Sequence, residues 1–166
     1  MKIYLTGFMG AGKSFIAENL AKDLGYHFID LDEMIEDKFD MKIARVFQRF
    51  GEQAFRLSET AALQDAINLK GNYVISCGGG CLLSEENYIN ASNDGKVFFI
   101  DTSFELCRAR FGEGHNRPLA LTNEEQLKKL YDRRRPVYLK HSSYTINGDN
   151  DVVTIIKDIK KKGRIK

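Results

Sequence analysis

Residues 7–14 read Gly-Phe-Met-Gly-Ala-Gly-Lys-Ser, a G-x-x-x-x-G-K-S pattern that restricts the possible folds more than any other stretch of the chain. The pattern is informative only between a strand and a helix, and both flanks are present. Ile3-Tyr4-Leu5-Thr6 is a short apolar strand candidate. Phe15–Leu24 has helical spacing, with Ile16, Leu20 and Leu24 on one face beside Ala17 and Ala21. Glu18, Asn19, Lys22 and Asp23 fall on the other, and Gly25 is a natural stop. A strand–loop–helix unit of this kind aims backbone N–H groups and a helix N-terminus at a phosphate chain. Lys13 would reach the β- and γ-phosphates and the Ser14 hydroxyl would hold Mg²⁺. An ordinary glycine-rich turn with a chance lysine needs neither flank, so the motif predicts a nucleoside triphosphate site.

The rest of the composition narrows the class. An apolar share of 43% and a charged share of 29% over 166 residues suit one soluble globular domain with a good core. No run of about 18 apolar residues is present, so no membrane span is expected. The first strand starts at once and leaves no room for a signal peptide, which points to the cytoplasm. Cys77, Cys81 and Cys107 are an odd, sparse set read as reduced thiols rather than a zinc site. A net charge of +2 gives no global field for nucleic acid. The excess sits in Lys157, Lys160, Lys161, Lys162, Arg164 and Lys166, read as a helix end fraying into a solvated basic tail. A monomer is expected.

Strand-like runs at 2–6, 27–30, 73–76, 96–101 and 143–147 alternate with helical patterns. Several are almost continuously apolar, as in Val97-Phe98-Phe99-Ile100. They predict a parallel sheet covered on both faces, a three-layer α/β/α sandwich with ligands at the carboxyl ends of its strands. Thr102-Ser103-Phe104-Glu105 and Thr122-Asn123-Glu124-Glu125 fit capping boxes. Two intervals break the alternation. Residues 32–69 insert helical segments, and residues 112–123 are polar and glycine-bearing. In a nucleotide enzyme these read as an acceptor site and a lid.

Candidate chemistry gathers after the strands. Asp30 and Asp32 are two apart. If the chain is still extended there, both carboxylates face the phosphate loop, one acting on Mg²⁺ through water and the other on an attacking hydroxyl. Helix capping is the competing explanation. Arg56 shares a helix face with Glu52 and Glu59; either a surface ion pair or a fixed guanidinium for a substrate carboxylate fits the spacing. Gly78-Gly79-Gly80 would let backbone approach a ligand closely. Arg110, Arg117 and Arg133-Arg134-Arg135 add the cations that phosphoryl transfer requires, although three adjacent helix positions cannot face one site.

Together, G-F-M-G-A-G-K-S, the D-L-D pair, G-E-Q-A-F-R-L-S-E, the glycine triplet, Arg117-Pro118-Leu119 and Arg134-Arg135-Pro136-Val137-Tyr138 resemble the shikimate kinase family along nearly the whole chain. The resemblance implies transfer of the ATP γ-phosphate to the 3-hydroxyl of shikimate, on the route to aromatic amino acids. It also implies a nucleoside monophosphate kinase type of P-loop fold with sheet order 2-3-1-4-5. By position it assigns Gly10, Ala11, Gly12, Lys13, Ser14, Phe15, Arg110 and Arg117 to ATP, and Ser14 with Asp30 to Mg²⁺. Asp32, Arg56, Glu59, Gly78, Gly79, Gly80 and Arg134 go to shikimate. Asp32 is the implied general base, Arg56 and Arg134 the implied carboxylate ligands, Glu59 the support of Arg56, and Arg117 the lid arginine. Asn147 and Gly148 should lie by the base. The chain departs from the family pattern at Phe15, at Asp40 where glycine is common, at Ala120 and at Arg135. Another small-molecule kinase of this fold, acting on gluconate or a nucleotide, is the alternative enzyme. A regulatory ATP-binding module would be expected to lack Lys13, Asp32 or Arg117.

Overall fold

Strand side chains alternate between two buried faces, and that alternation dictates three layers. In the run 97–100, Val97 and Phe99 point to one side of the sheet and Phe98 and Ile100 to the other, all of them buried. Full burial of each such side chain contributes about 1.5–3 kcal/mol, so neither face can be left in water. The structure is a computed structural model that describes residues 1–111 and 123–166. Its strands are β1 (Lys2–Thr6), β2 (His27–Asp30), β3 (Tyr73–Ser76), β4 (Lys96–Asp101) and β5 (Tyr144–Asn147). They form one parallel sheet in the order β2-β3-β1-β4-β5, the order the resemblance implied.

Helices α1 (Lys13–Leu24) and α7 (Val152–Gly163) cover one face, packing on Ile3, Leu5, Val74, Phe98 and Ile146. On the other, α2 (Leu31–Phe39), α3 (Ile43–Asn68) and α4 (Glu85–Asp94) pack over Tyr4, Ile75 and Val97. The same side carries α5 (Phe104–Phe111) and α6 (Glu124–Lys140), joined to the phosphate loop through Phe8, Met9, Phe99, Cys107, Tyr131 and Tyr138.

The helical insertion has two features that set the site. Helix α2 ends on Asp40 with φ 49°, a left-handed conformation that aspartate tolerates where glycine is the usual choice. Helix α3 breaks at Gly51, whose φ of 84° only glycine adopts readily; the break re-aims the second half, which carries Arg56 and Glu59.

Three local expectations are corrected. Asp30 is not followed by extended chain: it caps α2, and Asp32 lies in that helix's first turn. Helix α5 begins at Phe104, which puts Ser103 rather than Thr102 at the cap position, and the Thr102 hydroxyl donates to the carbonyl of Ala11 at 3.1 Å. The basic C-terminal residues are not a frayed tail either. Helix α7 closes with Arg164 left-handed and the Ile165 N–H bonded to the Lys160 carbonyl, and Ile165 is buried in the core. Lys160 pairs with Asp23, and Lys162 donates to the Thr145 carbonyl.

The segment 112–122, with Arg117, Pro118, Leu119, Ala120 and Thr122, lies outside the described residues, as does nearly all of the expected lid. Asn123 caps α6 with its side chain, accepting from the N–H of Gln126. All three cysteines are free and buried, and burial pushes their thiols up, Cys107 to about 11. Among the described residues no helix is long and apolar enough to cross a membrane.

Candidate active site

The phosphate loop joins β1 to α1. Gly12 is left-handed at φ 86° and no side chain caps the helix, so α1 presents an uncapped N-terminus of the kind that attracts phosphate. Lys13 is folded back along the loop, its Nζ 3.0 Å from the carbonyl of Phe8. Ser14 Oγ donates to Asp30 Oδ2 and lies 3.2 Å from Ser76 Oγ. Asp30 therefore caps α2 with Oδ1, the competing explanation the sequence offered, while its Oδ2 holds the loop serine. These oxygens at the foot of the loop are the donor type a hard divalent cation prefers. Among the described residues no cluster of three or more His, Cys, Asp or Glu could hold a metal alone. Arg110, on α5, lies over the loop with Nη1 3.2 Å from the Ala11 carbonyl. Phe15 points outward, 61% exposed.

Beside the loop, the ends of β2 and β3 open into a cleft of about 50 Å³. Asp32 comes from α2, Arg56 and Glu59 from the second half of α3, Gly79 and Gly80 from the end of β3, and Arg134 from α6. Met9, Ile43, Phe47 and Phe55 make the apolar wall. Past Arg56, Glu59, Gly80 and Arg134 the cleft meets a groove of about 590 Å³.

Arg56 Nη1 donates to Glu59 Oε2 at 2.6 Å, whereas Glu52 is a loose and exposed partner at 3.8 Å. Glu59 is 3% exposed. Burial pushes its carboxyl pKa up, and the Arg56 guanidinium opposes that shift. Asymmetry decides the reading left open by spacing: the pair is anchored on the buried carboxylate, so it orients the guanidinium over the cleft.

The glycine triplet has a steric cause. A methyl on Gly78 would stand 2.6 Å from Asp32 Oδ1, and one on Gly80 would stand 2.7 Å from Arg56 Cζ. Gly79 has ordinary space around it, and its carbonyl accepts from the Tyr138 hydroxyl.

The arginine cluster separates by direction. Arg134 is 9% exposed and lines the cleft, between Tyr131 and Tyr138 on the same face of α6. Arg133 faces only the outer groove, and Arg135 forks onto Asp101. Asn147 ends β5 and Gly148 follows it, with the Gly148 N–H bonded to the Asp101 carbonyl. Arg117 lies outside the described residues. Sequence reasoning missed the apolar wall, whose one signal is the apolar stripe of α3. It also missed Thr102 on Ala11 and Tyr138 on Gly79, for which spacing offers none.

A family model described as Shikimate kinase matches residues 9–162. A shikimate kinase of Thermodesulfovibrio yellowstonii is 39% identical over 140 residues, covering 83% of this chain and 80% of that protein. One of Caldanaerobacter subterraneus subsp. tengcongensis is 32% identical over 170 residues, covering 98% of each. Among solved structures, a shikimate kinase from Acinetobacter baumannii in complex with shikimate superposes with a TM-score of 0.86 at 33% identity, covering 97% of this chain and 89% of that one. A deoxyadenosine kinase from M. mycoides with bound dATP, at 20% identity and a TM-score of 0.63, covers 98% of each chain and shares the fold.

Proposed function

This chain belongs to the shikimate kinase family, and we propose that it transfers the γ-phosphate of ATP to the 3-hydroxyl of shikimate, giving shikimate 3-phosphate and ADP for aromatic amino-acid synthesis. The observation that carries the reading is the convergence of Asp32, Arg56 and Arg134 on one cleft beside the phosphate loop. An acceptor bearing both a carboxylate and hydroxyls is met by two guanidiniums and a carboxylate; gluconate carries both groups too, but as an open chain it offers no ring for the apolar wall of Ile43, Phe47 and Phe55, and a nucleotide has no carboxylate.

In this reading Arg56, oriented by Glu59, and Arg134 grip the substrate carboxylate. The ring lies on Ile43, Phe47 and Phe55, and Gly79 keeps the floor low. Asp32 accepts a hydrogen bond from the 3-hydroxyl and takes its proton as oxygen attacks the γ-phosphorus and the bond to the β,γ-bridging oxygen breaks. N–H groups of residues 10–15 and the Lys13 ammonium meet the phosphate charge. Ser14, with Asp30 behind it, would hold Mg²⁺, which neutralises charge on the β- and γ-phosphates. Arg110 sits on the nucleotide side, with residues 147–148 by the base. Arg117 and the segment 112–123 act as the lid, residues 32–69 as the acceptor-binding insertion, and the whole as one monomeric cytoplasmic kinase domain.

A coupled ADP-release assay with shikimate, gluconate and nucleoside monophosphates tests this. Turnover should depend on shikimate; equal or greater stimulation by another acceptor would overturn the assignment.

A further inference from the structure

Arg135 and Asp101 lie outside the set that touches substrate in the reading above, yet they form the best-shaped ion pair near the cleft. Arg135 Nε donates to Asp101 Oδ1 at 2.9 Å and Nη2 to Oδ2 at 2.6 Å, two parallel bonds of a fork. Most exposed pairs contribute little, the exception being a bidentate guanidinium–carboxylate. The pair joins the last residue of β4 to α6 one position after Arg134.

Two tyrosine contacts dock the inner stripe of α6 near the strand ends. Tyr131 donates to the Thr102 carbonyl at 2.7 Å, and Tyr138 donates to the carbonyl of Gly79. Residues 131, 134 and 138 share one stripe of the helix, so the tyrosines fix its depth and its position along the axis. A single stripe of anchors still lets a helix roll about it. Arg135, about 100° round from Arg134, makes the bidentate contact that opposes the roll, whereas the ion pairs at the two helix ends, Glu124 with Arg108 and Lys140 with Glu85, are exposed and single. A roll of about 20° would carry a side-chain tip at the helix's outer radius of about 5–6 Å through about 2 Å. That is ample to spoil a guanidinium fork in the cleft, where misplacement by about 1 Å can cost up to about a hundredfold.

We propose that Asp101 and Arg135 are positioning residues that set the rotation of α6 and so aim Arg134 at the acceptor carboxylate. The inference rests on the shikimate kinase reading of the cleft. Arg135 then serves to clamp the helix and not to bind substrate.

The test is steady-state kinetics of the full chain carrying Arg135→Ala, Arg135→Lys, Asp101→Asn, or Arg135→Ala with Asp101→Asn. Arg135→Ala and Asp101→Asn should each raise the shikimate KM about tenfold, with kcat and the ATP KM within about twofold of wild type. Arg135→Lys, which keeps the charge without the fork, should fall between. The double variant should be no worse than either single one, because both remove the same clamp. An unchanged shikimate KM, or additive losses in the double variant, would overturn the proposal. So would kcat, both KM values and the melting temperature all worsening together, which marks a merely structural pair. Should Arg135→Ala fail to fold, the Arg135→Lys and Asp101→Asn comparison decides by the same split. Wild-type protein without shikimate-dependent turnover would instead sink the functional reading itself.

Discussion

Gly80→Ala probes the cleft without removing a functional group. The added methyl would stand 2.7 Å from Arg56 Cζ and 3.0 Å from Nη2, and closer still to Nη1, whereas ordinary contact begins at 3.4 Å. Cζ must therefore retreat by about 0.7 Å (3.4 − 2.7) and Nη1 by more. The obstructing atoms end a flexible side chain, so the fold survives and the guanidinium yields. Its bond to Glu59 is stretched, and its fork onto the acceptor is displaced by about 1 Å. A fork onto a buried carboxylate is worth about 2–5 kcal/mol. Losing about half of it raises the shikimate KM by about fivefold to about sixtyfold. Coupled ADP-release kinetics should show that rise with the ATP KM unchanged. Gly79→Ala is the stability control: a methyl there meets nothing nearer than 3.6 Å, so its melting temperature should match wild type while that of Gly80→Ala falls. A shikimate KM within about twofold of wild type in Gly80→Ala, or a defect confined to ATP, would refute the placement of Arg56.

Asp32→Asn should nearly abolish turnover while ATP binding, measured calorimetrically, persists; near-normal kcat would remove Asp32 as base or hydroxyl anchor. Glu59→Gln should flatten part of the pH dependence of stability. Burial raises the folded-state pKa of Glu59 above its ordinary 4.5, so the folded protein holds a proton the unfolded chain has lost, and this contribution falls as pH rises from there through the folded value. The wild-type-minus-variant melting curve against pH should slope downward across that window, and an upward slope would mean that Arg56 outweighs burial. Ile165→Ala should cost about 2–4 kcal/mol in denaturant unfolding, as for a core aliphatic; a change under about 0.5 kcal/mol would return the C-terminal residues to solvent.

Strand positions were legible because period-two alternation and buried runs leave little choice, and four of the five strand bounds match. The phosphate loop was legible because its glycines, lysine and serine serve backbone geometry that no other order of residues provides. What failed had local signals outweighed by distant partners. Thr102 looked like a cap, but a loop carbonyl ninety-one residues away in sequence takes its hydroxyl. Ile165, one apolar residue among lysines, has no periodicity to announce its burial. The choice among Arg133, Arg134 and Arg135 was illegible for a related reason: neighbours on a helix point about 100° apart, and only the docking of Tyr131 and Tyr138 decides which one turns inward.

The charged groups of the cleft belong to three helices far apart in sequence, and what lets them meet is the absence of side chains at the end of β3. Asp32 from α2 occupies the space a Cβ at Gly78 would need, and Arg56 from α3 the space of one at Gly80. Tyr138 from α6 reaches the carbonyl of Gly79 between them. Each glycine thus admits a different helix. Larger residues there would push Asp32 and Arg56 outward together, and a carboxylate and a guanidinium moved into water lose the low-dielectric surroundings that make their contacts strong. Glu59 fits the same logic. Its buried carboxylate is costly by itself, and it holds Arg56 by one nitrogen, Nη1, while Nη2 has a loose contact with exposed Glu52 that a ligand in the cleft could replace. A glycine run that reads as a turn is therefore the template on which the phosphate loop and the charged cleft are set side by side.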